Sequence, residues 1–193
     1  MKQRRDNPRV TYPSAGHSIS PLRVNQYPRP AHKYILRLLN CESDMPKGKL
    51  PISIKGIVLR KGNSDSEVLL LKNDRREWEL PGGRIDGSET PEDCLVREFK
   101  EETGLLVCVS SYIGDGVLTI LPPHVRRAKN VRISVYGCLL QQSASSASHI
   151  TISNEHQESA WIPVNNLPGM ANVPDIYKAF IVEWKRKLHN SGA

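Results

Sequence analysis

Glu98, Glu101 and Glu102 place three carboxylates within five residues, in the run Arg97-Glu98-Phe99-Lys100-Glu101-Glu102. Like charges at that density need a partner. Carboxylate oxygens are hard donors, and the partner that suits them is a hard divalent cation such as Mg²⁺. A glycine turn, Pro81-Gly82-Gly83, precedes the run. Acidic ligands, a cation and a turn whose backbone can approach a ligand closely point together to chemistry on phosphates.

A loop followed by a helix must position these groups. Pro81-Gly82-Gly83 and Asp86-Gly87-Ser88 are turn sequences. Thr90 is an N-cap, Pro91 fits the first helical position, and Asp93, three residues after the cap, makes a short-armed capping box. Glu92 and Asp93 suit the positive end of the helix dipole, and Gly104 suits the stop. The predicted helix runs from Pro91 to Thr103. At ~100° per residue, Glu98, Glu101 and Glu102 share an arc of roughly 100°. Leu95, Val96, Phe99 and Thr103 fall on an adjacent arc able to pack on a sheet. Arg97 is expected off the acidic arc, on the loop side, where its planar fork reaches Glu89 and fixes the turn.

Gly83, Glu89, Arg97, Glu98, Phe99, Glu101, Glu102, Gly104 and Leu105 stand in the register of the Nudix box, and the segment Gly83 to Leu105 resembles that box in full. The resemblance implies the Nudix fold, an α/β/α sandwich around a mixed β-sheet. It implies hydrolysis of a nucleoside diphosphate linked to another group, with Mg²⁺ or Mn²⁺ as cofactor. Glu98, Glu101 and Glu102 would be metal ligands together with the carbonyl of Gly83, with Glu98 and Glu101 also carrying catalysis. Glu89 and Arg97 would be the structural pair. Looser likeness extends from about Ile52 to the C-terminal helix.

Charge divides the chain. Residues 1–50 carry 10 Lys/Arg against 3 Asp/Glu, and residues 51–193 carry 17 of each, so the whole excess of +7 lies in the first quarter. That quarter also holds Pro8, Pro13, Pro21, Pro28, Pro30 and Pro46. Residues 1–50 therefore read as a partly flexible basic arm and linker, and residues 51–193 as the domain. Within the first part, Tyr34 to Leu39 is a short apolar run able to pack on the domain. The arm leaves three readings open: a solvated tail, an electrostatic hook for nucleic acid or an anionic surface, and a presequence whose helix the prolines would spoil. No apolar run approaches 18 residues, so neither a membrane span nor a secretory signal is expected. Cys41, Cys94, Cys108 and Cys138 are too widely spaced for a zinc site and read as small apolar residues in a reducing, cytoplasmic setting.

Strand signals surround the box. Ile52 to Leu59, Val68 to Leu71, Leu105 to Ser110, Val117 to Leu121, Val131 to Leu140 and Trp161 to Pro163 read as strands. Gly62 to Ser66 reads as a hairpin loop, and Ser143 to Ser148 as a small-residue loop. Ile176, Tyr177, Phe180, Ile181, Trp184 and Leu188 have helical spacing and predict a closing helix.

Further chemistry is read from three places. Asn154-Glu155-His156-Gln157-Glu158 resembles the region where many Nudix enzymes place a further acidic residue, which implies Glu155 or Glu158 as the residue that completes a metal shell or acts as general base, with His156 able to move a proton. His124, Arg126, Arg127, Lys129 and Arg132 form a basic stretch, either a solvated loop or a phosphate-binding one, with Arg126 and Arg127 the substrate candidates. Trp78 is either core or the wall of a base pocket. Pro122-Pro123 stand where ADP-ribose-cleaving relatives tend to place a proline, and no coenzyme A or NADH signature is visible. ADP-ribose is the first substrate expected, and a nucleoside triphosphate the alternative. A homodimer fits this reading. An RNA-directed protein and a non-catalytic Nudix-fold ligand sensor are the competing classes.

Overall fold

The computed structural model describes residues 50–120, 128–141, 150–153 and 156–191. The basic arm with Tyr34 to Leu39, the proline pair Pro122-Pro123, and Ser143 to Ser148 lie outside the described residues. Along the chain come β1 (Ile52–Lys61), β2 (Ser66–Lys72), β3 (Trp78–Glu79), α1 (Pro91–Thr103), β4 (Val107–Ile120), β5 (Lys129–Leu140), β6 (Glu158–Pro163), a 3-10 turn (Val164–Gly169) and α2 (Asp175–Ser191). The sheet has the order β3-β2-β1-β5-β4, with β6 paired to β2. It is mixed: β1 and β5 run parallel, and the remaining pairs are antiparallel.

The division of β1 positions the site. Its last residues, Leu59 to Lys61, pair with Val68 to Ser66 in a hairpin, while Ile52 to Val58 pair with Arg132 to Cys138 of β5. Before Leu59 the second edge of β1 is therefore open to another partner. The glycine turn takes it: Ile54 donates its N–H to the carbonyl of Gly83 (2.7 Å) and Gly56 donates to that of Pro81 (2.9 Å). Those two bonds satisfy donors that would otherwise be unpaired at the centre of the fold, and they lock the start of the box to the sheet.

Alternation along the strands separates two cores. Ile54 and Val58 of β1, with Leu69 and Cys138, pack under Cys94, Leu95 and Phe99 of α1. Ile57, Val68, Leu70, Ile133 and Val135 face the other way, against Tyr177, Phe180, Ile181 and Trp184 of α2. A helix on each face of a mixed sheet is the expected α/β/α sandwich.

Helix α1 has the predicted bounds. The sheet differs from expectation in several places: Trp78–Glu79 forms a short strand, β6 starts at Glu158 and not Trp161, and Leu105 to Ser110 and Val117 to Leu121 are not separate strands, since one strand, β4, runs through Val107–Ile120. The intervening Ser-Ser-Tyr-Ile-Gly-Asp-Gly has turn composition, yet it stays paired with β5 by absorbing register shifts at Val109/Ser111 and Tyr112/Gly114. Its glycines serve close packing. A Cβ on Gly116 would stand 2.3 Å from Cδ1 of Ile176, so this stretch admits α2.

Candidate active site on helix α1 and the glycine turn

Helix α1 begins and ends as its sequence dictates. Thr90 accepts the N–H of Asp93 (3.1 Å) and its hydroxyl donates to the Asp93 carboxylate (2.8 Å). Gly104 closes the helix in the left-handed conformation, φ 71°, donating to the Lys100 carbonyl (3.1 Å). Upstream, Gly82 has φ 126°, and a Cβ there would lie 2.2 Å from the carbonyl oxygen of Ile54. Only glycine lets the turn run this close to β1.

Two charge systems flank the helix. On its outer side Arg97 gathers the carboxylates. Its Nε and Nη2 meet the two oxygens of Glu89 at 3.1 and 2.7 Å, a bidentate fork. Nη1 donates to Glu98 (2.9 Å) and Glu101 (3.2 Å), and Nη2 donates to the carbonyl of Arg84 (3.2 Å). The expected Arg97–Glu89 pair is present, but Arg97 does not stand apart from the acidic arc. Its five donors reach both the loop and the helix carboxylates, so it also supplies the charge that offsets their repulsion. Arg97's hydrogen bonds and the Asp86 N–H hold the Glu89 carboxyl at about 2, below the usual carboxylate range.

On the inner side lies Glu102, only 5% exposed. Its Oε2 accepts the N–H of Gly82 (2.8 Å), and Oε1 stands 3.7 Å from Nε2 of His156. The same imidazole nitrogen is 3.6 Å from Glu79. Lys55, a buried lysine on β1, donates to the Gly82 carbonyl (2.6 Å) and pairs with Glu79 at 3.5 Å. Burial pushes the Glu102 carboxyl up to about 7, against the pull of Lys55, the Gly82 N–H and His156, with Glu98 adding to the rise. Burial works the same way on Glu79, but Lys55 and His156 outweigh it and hold that carboxyl at about 2. For Lys55, Glu79 leads the groups that overcome burial and keep the ammonium charged.

The three helix glutamates therefore divide between two partners. Glu98 and Glu101 share Nη1 of Arg97, while Glu102 turns inward to Gly82. Among the described residues, no three His, Cys, Asp or Glu side chains are gathered into a metal cage. Glu98 and Glu102 remain within electrostatic reach of each other, since one raises the pKa of the other. The Gly83 carbonyl accepts from Ile54 and, at 3.4 Å, from the Ser53 hydroxyl.

This loop and helix fall inside a longer match: a profile of the NUDIX domain covers residues 51–181. The chain belongs to the NUDIX family. An ADP-ribose pyrophosphatase from Methanocaldococcus jannaschii is 28% identical over 124 residues, covering 62% of this chain and 66% of the relative. A putative 8-oxo-dGTP diphosphatase from Bacillus subtilis is 45% identical over 53 residues, covering 27% of this chain and 36% of the relative. The chain thus spans less than two thirds of either relative's length, and as little as 14% of another curated relative's. Among solved structures, a MutT protein from Methanosarcina mazei superposes with a TM-score of 0.55 at 22% identity, covering 74% of this chain and 98% of that one. That likeness concerns the fold.

The remaining candidates of this Nudix domain are dispersed. Trp78 is 7% exposed and belongs to the core beneath α2, with the Lys72 ammonium 5.2 Å from its ring centre. Glu158 is on β6, paired with Lys72 at 2.9 Å. Arg132 bonds Asp115 on the sheet face that carries Tyr136. Glu155, Arg126, Arg127 and His124 lie outside the described residues. Lys55 and Glu79 are the polar groups of the site that the sequence reading did not single out. A signal for Lys55 was present: a lysine at an inward position of an otherwise apolar strand, Ile54-Lys55-Gly56-Ile57. No helix among the described residues is long and apolar enough to cross a membrane.

Proposed function

We propose that this Nudix domain is a divalent-cation-dependent hydrolase that cleaves the pyrophosphate bond of a nucleoside diphosphate linked to another moiety, with ADP-ribose its first substrate. The observation that carries the reading is the complete acidic set, Glu98, Glu101 and Glu102, held on one capped helix against a glycine turn whose N–H already binds a carboxylate at 2.8 Å. Preference for ADP-ribose draws support from the archaeal pyrophosphatase, which matches over 62% of this chain.

The donor chemistry fits Mg²⁺ or Mn²⁺: carboxylate oxygens with backbone carbonyls of the turn beside them. Glu98, Glu101 and Glu102 would hold the cation, with Gly83 as the carbonyl donor implied by the family likeness. When bound, it neutralises the diphosphate and makes the phosphorus more electrophilic. The chain's own residues do the rest. Glu98 or Glu101 accepts the proton of the attacking water, and Glu155 is the further candidate for that role. Arg97 fixes the direction of both glutamates through one nitrogen. Arg126 and Arg127 bind the departing phosphate as planar forks. A second reading, cleavage of a nucleoside triphosphate to the monophosphate, is favoured by the bacterial diphosphatase relative.

The test is product analysis on the purified chain with ADP-ribose and a panel of nucleoside triphosphates, in Mg²⁺ and in EDTA. Turnover should require the cation and fall about 10²–10⁴-fold in Glu101→Gln and Glu102→Gln. Equal turnover in chelator and in both variants would end the proposal. Turnover of triphosphates alone would select the second reading.

A further inference from the structure

Lys55 has no role in the hydrolysis described so far, yet it is the one described lysine that is buried, at 7% exposure. It stands in the middle of β1, where Ile57 on the same face and Val135, its partner on β5, are buried and apolar. A lysine ammonium is rarely buried without compensation, because its desolvation is costly. Here the hydrogen bonds that compensate it go to the site. The Gly82 carbonyl takes one donor at 2.6 Å, Glu79 lies at 3.5 Å, and Glu102 is bonded to the N–H of that same Gly82 at 2.8 Å. Carbonyl and carboxylate oxygens are the ligands a hard cation would choose. His156 bridges the two carboxylates at 3.6 and 3.7 Å and has a side chain only 5% exposed, so little water reaches the group.

We propose that Lys55 is the resident cation of the inner half of the site, a positioning residue that fixes the Gly82 turn and Glu102 and holds down the site's affinity for free divalent cations. The inference rests on the reading that Glu102 belongs to the cation-binding set. A fixed positive charge beside Glu102 repels a free divalent ion, so tight loading waits for the ion to arrive with an anionic diphosphate. The same charge holds the turn in register with β1, and the turn presents the carboxylate. Removing it therefore has opposite effects on two quantities: cation affinity rises, because the competing charge is gone, while turnover falls, because the turn and Glu102 lose their anchor.

The experiment compares the parent chain with Lys55→Met, which keeps the stem and removes the charge. Mn²⁺ alone is titrated calorimetrically without substrate, and kcat on ADP-ribose is measured at saturating Mn²⁺. The expected result is Mn²⁺ affinity about 10-fold tighter, with kcat about 10–100-fold lower and KM nearly unchanged. A folded Lys55→Met whose Mn²⁺ affinity is unchanged or weaker overturns the proposal, because a purely structural lysine predicts that outcome. If Lys55→Met does not fold, Lys55→Met/Glu79→Gln must regain a cooperative melt, since it removes one of the two uncompensated carboxylates. Continued failure overturns the proposal too. The Mn²⁺ titration involves no turnover. A parent chain that hydrolyses nothing, with the tighter Mn²⁺ binding still seen in Lys55→Met, defeats the functional reading and leaves the role of Lys55 standing.

Discussion

Gly82 and Gly83 are adjacent, and replacing each with alanine should damage different properties. At Gly82 the new Cβ would lie 2.2 Å from the Ile54 carbonyl oxygen and 3.1 Å from Cα of Lys55, all of it backbone in the middle of the sheet. The residue also has φ 126°, a conformation that costs an L-residue about 1–3 kcal/mol. Relief requires moving the turn, which strains the bond from the Gly82 N–H to the buried Glu102 carboxylate, a type worth about 1.5–3 kcal/mol. Together these give a loss of about 2.5–6 kcal/mol for Gly82→Ala, or about 5–24 °C in melting temperature for a domain of this size. At Gly83 the Cβ would meet Oε1 of Glu98 at 2.1 Å, the far end of a flexible side chain. Glu98 can swing away, so Gly83→Ala should cost within about 1 kcal/mol of stability. The swing moves a carboxylate assigned to the reaction, however, and displacements of that size cost about 10²-fold in rate. Urea denaturation and kcat on both variants, in one buffer, make the test. Equal stability losses in the two variants, or a fully active Gly83→Ala, would refute this account of the turn.

Phe99→Ala empties a fully buried position on the sheet-facing side of α1 and should cost about 3–5 kcal/mol by urea denaturation. Arg76 has φ 61° in the turn between β2 and β3, so Arg76→Gly should raise stability by up to about 1 kcal/mol, read as an upward shift of the urea midpoint. Asp65 should leave a signature in acid. Burial opposes its charge, but Lys185 and the N–H groups of Asn165 and Ser66 prevail and hold its pKa below the ordinary carboxylate value. The stability it contributes is present above that ordinary value and is lost as pH falls through the lowered one. Urea midpoints between pH 2 and 6 should therefore fall less steeply in Asp65→Asn than in the parent chain.

Legibility in the sequence followed the range of the forces involved. Helix α1 was readable to the residue because Thr90, Pro91 and Gly104 act on their own neighbourhood through caps and backbone conformation. Strand β4 was misread as two because Ser110 to Gly116 has the composition of a turn. Its pairing is decided by residues distant in sequence, Val131 to Gly137 on one side and Ile176 and Phe180 on the other. Tertiary context overrode local propensity there, as it often does in strands.

The site shows the same limit from another direction. Helical spacing groups Glu98, Glu101 and Glu102 on one arc correctly, but an arc does not say which neighbour each carboxylate chooses. That choice depends on depth. Glu98 and Glu101 sit where Arg97 can fork between them and the loop, whereas Glu102, nearest the sheet, meets the Gly82 N–H and the Lys55 side. The turn reaches Glu102 only because β1 pairs with β2 from Leu59 onward and, before that residue, offers its free edge to residues 81–83. No local pattern encodes that separation. It arises when the hairpin, the parallel β1–β5 pair and the positive-φ glycine form together, so the acidity of α1 is a property of the helix while its division into an outer and an inner half is a property of the sheet.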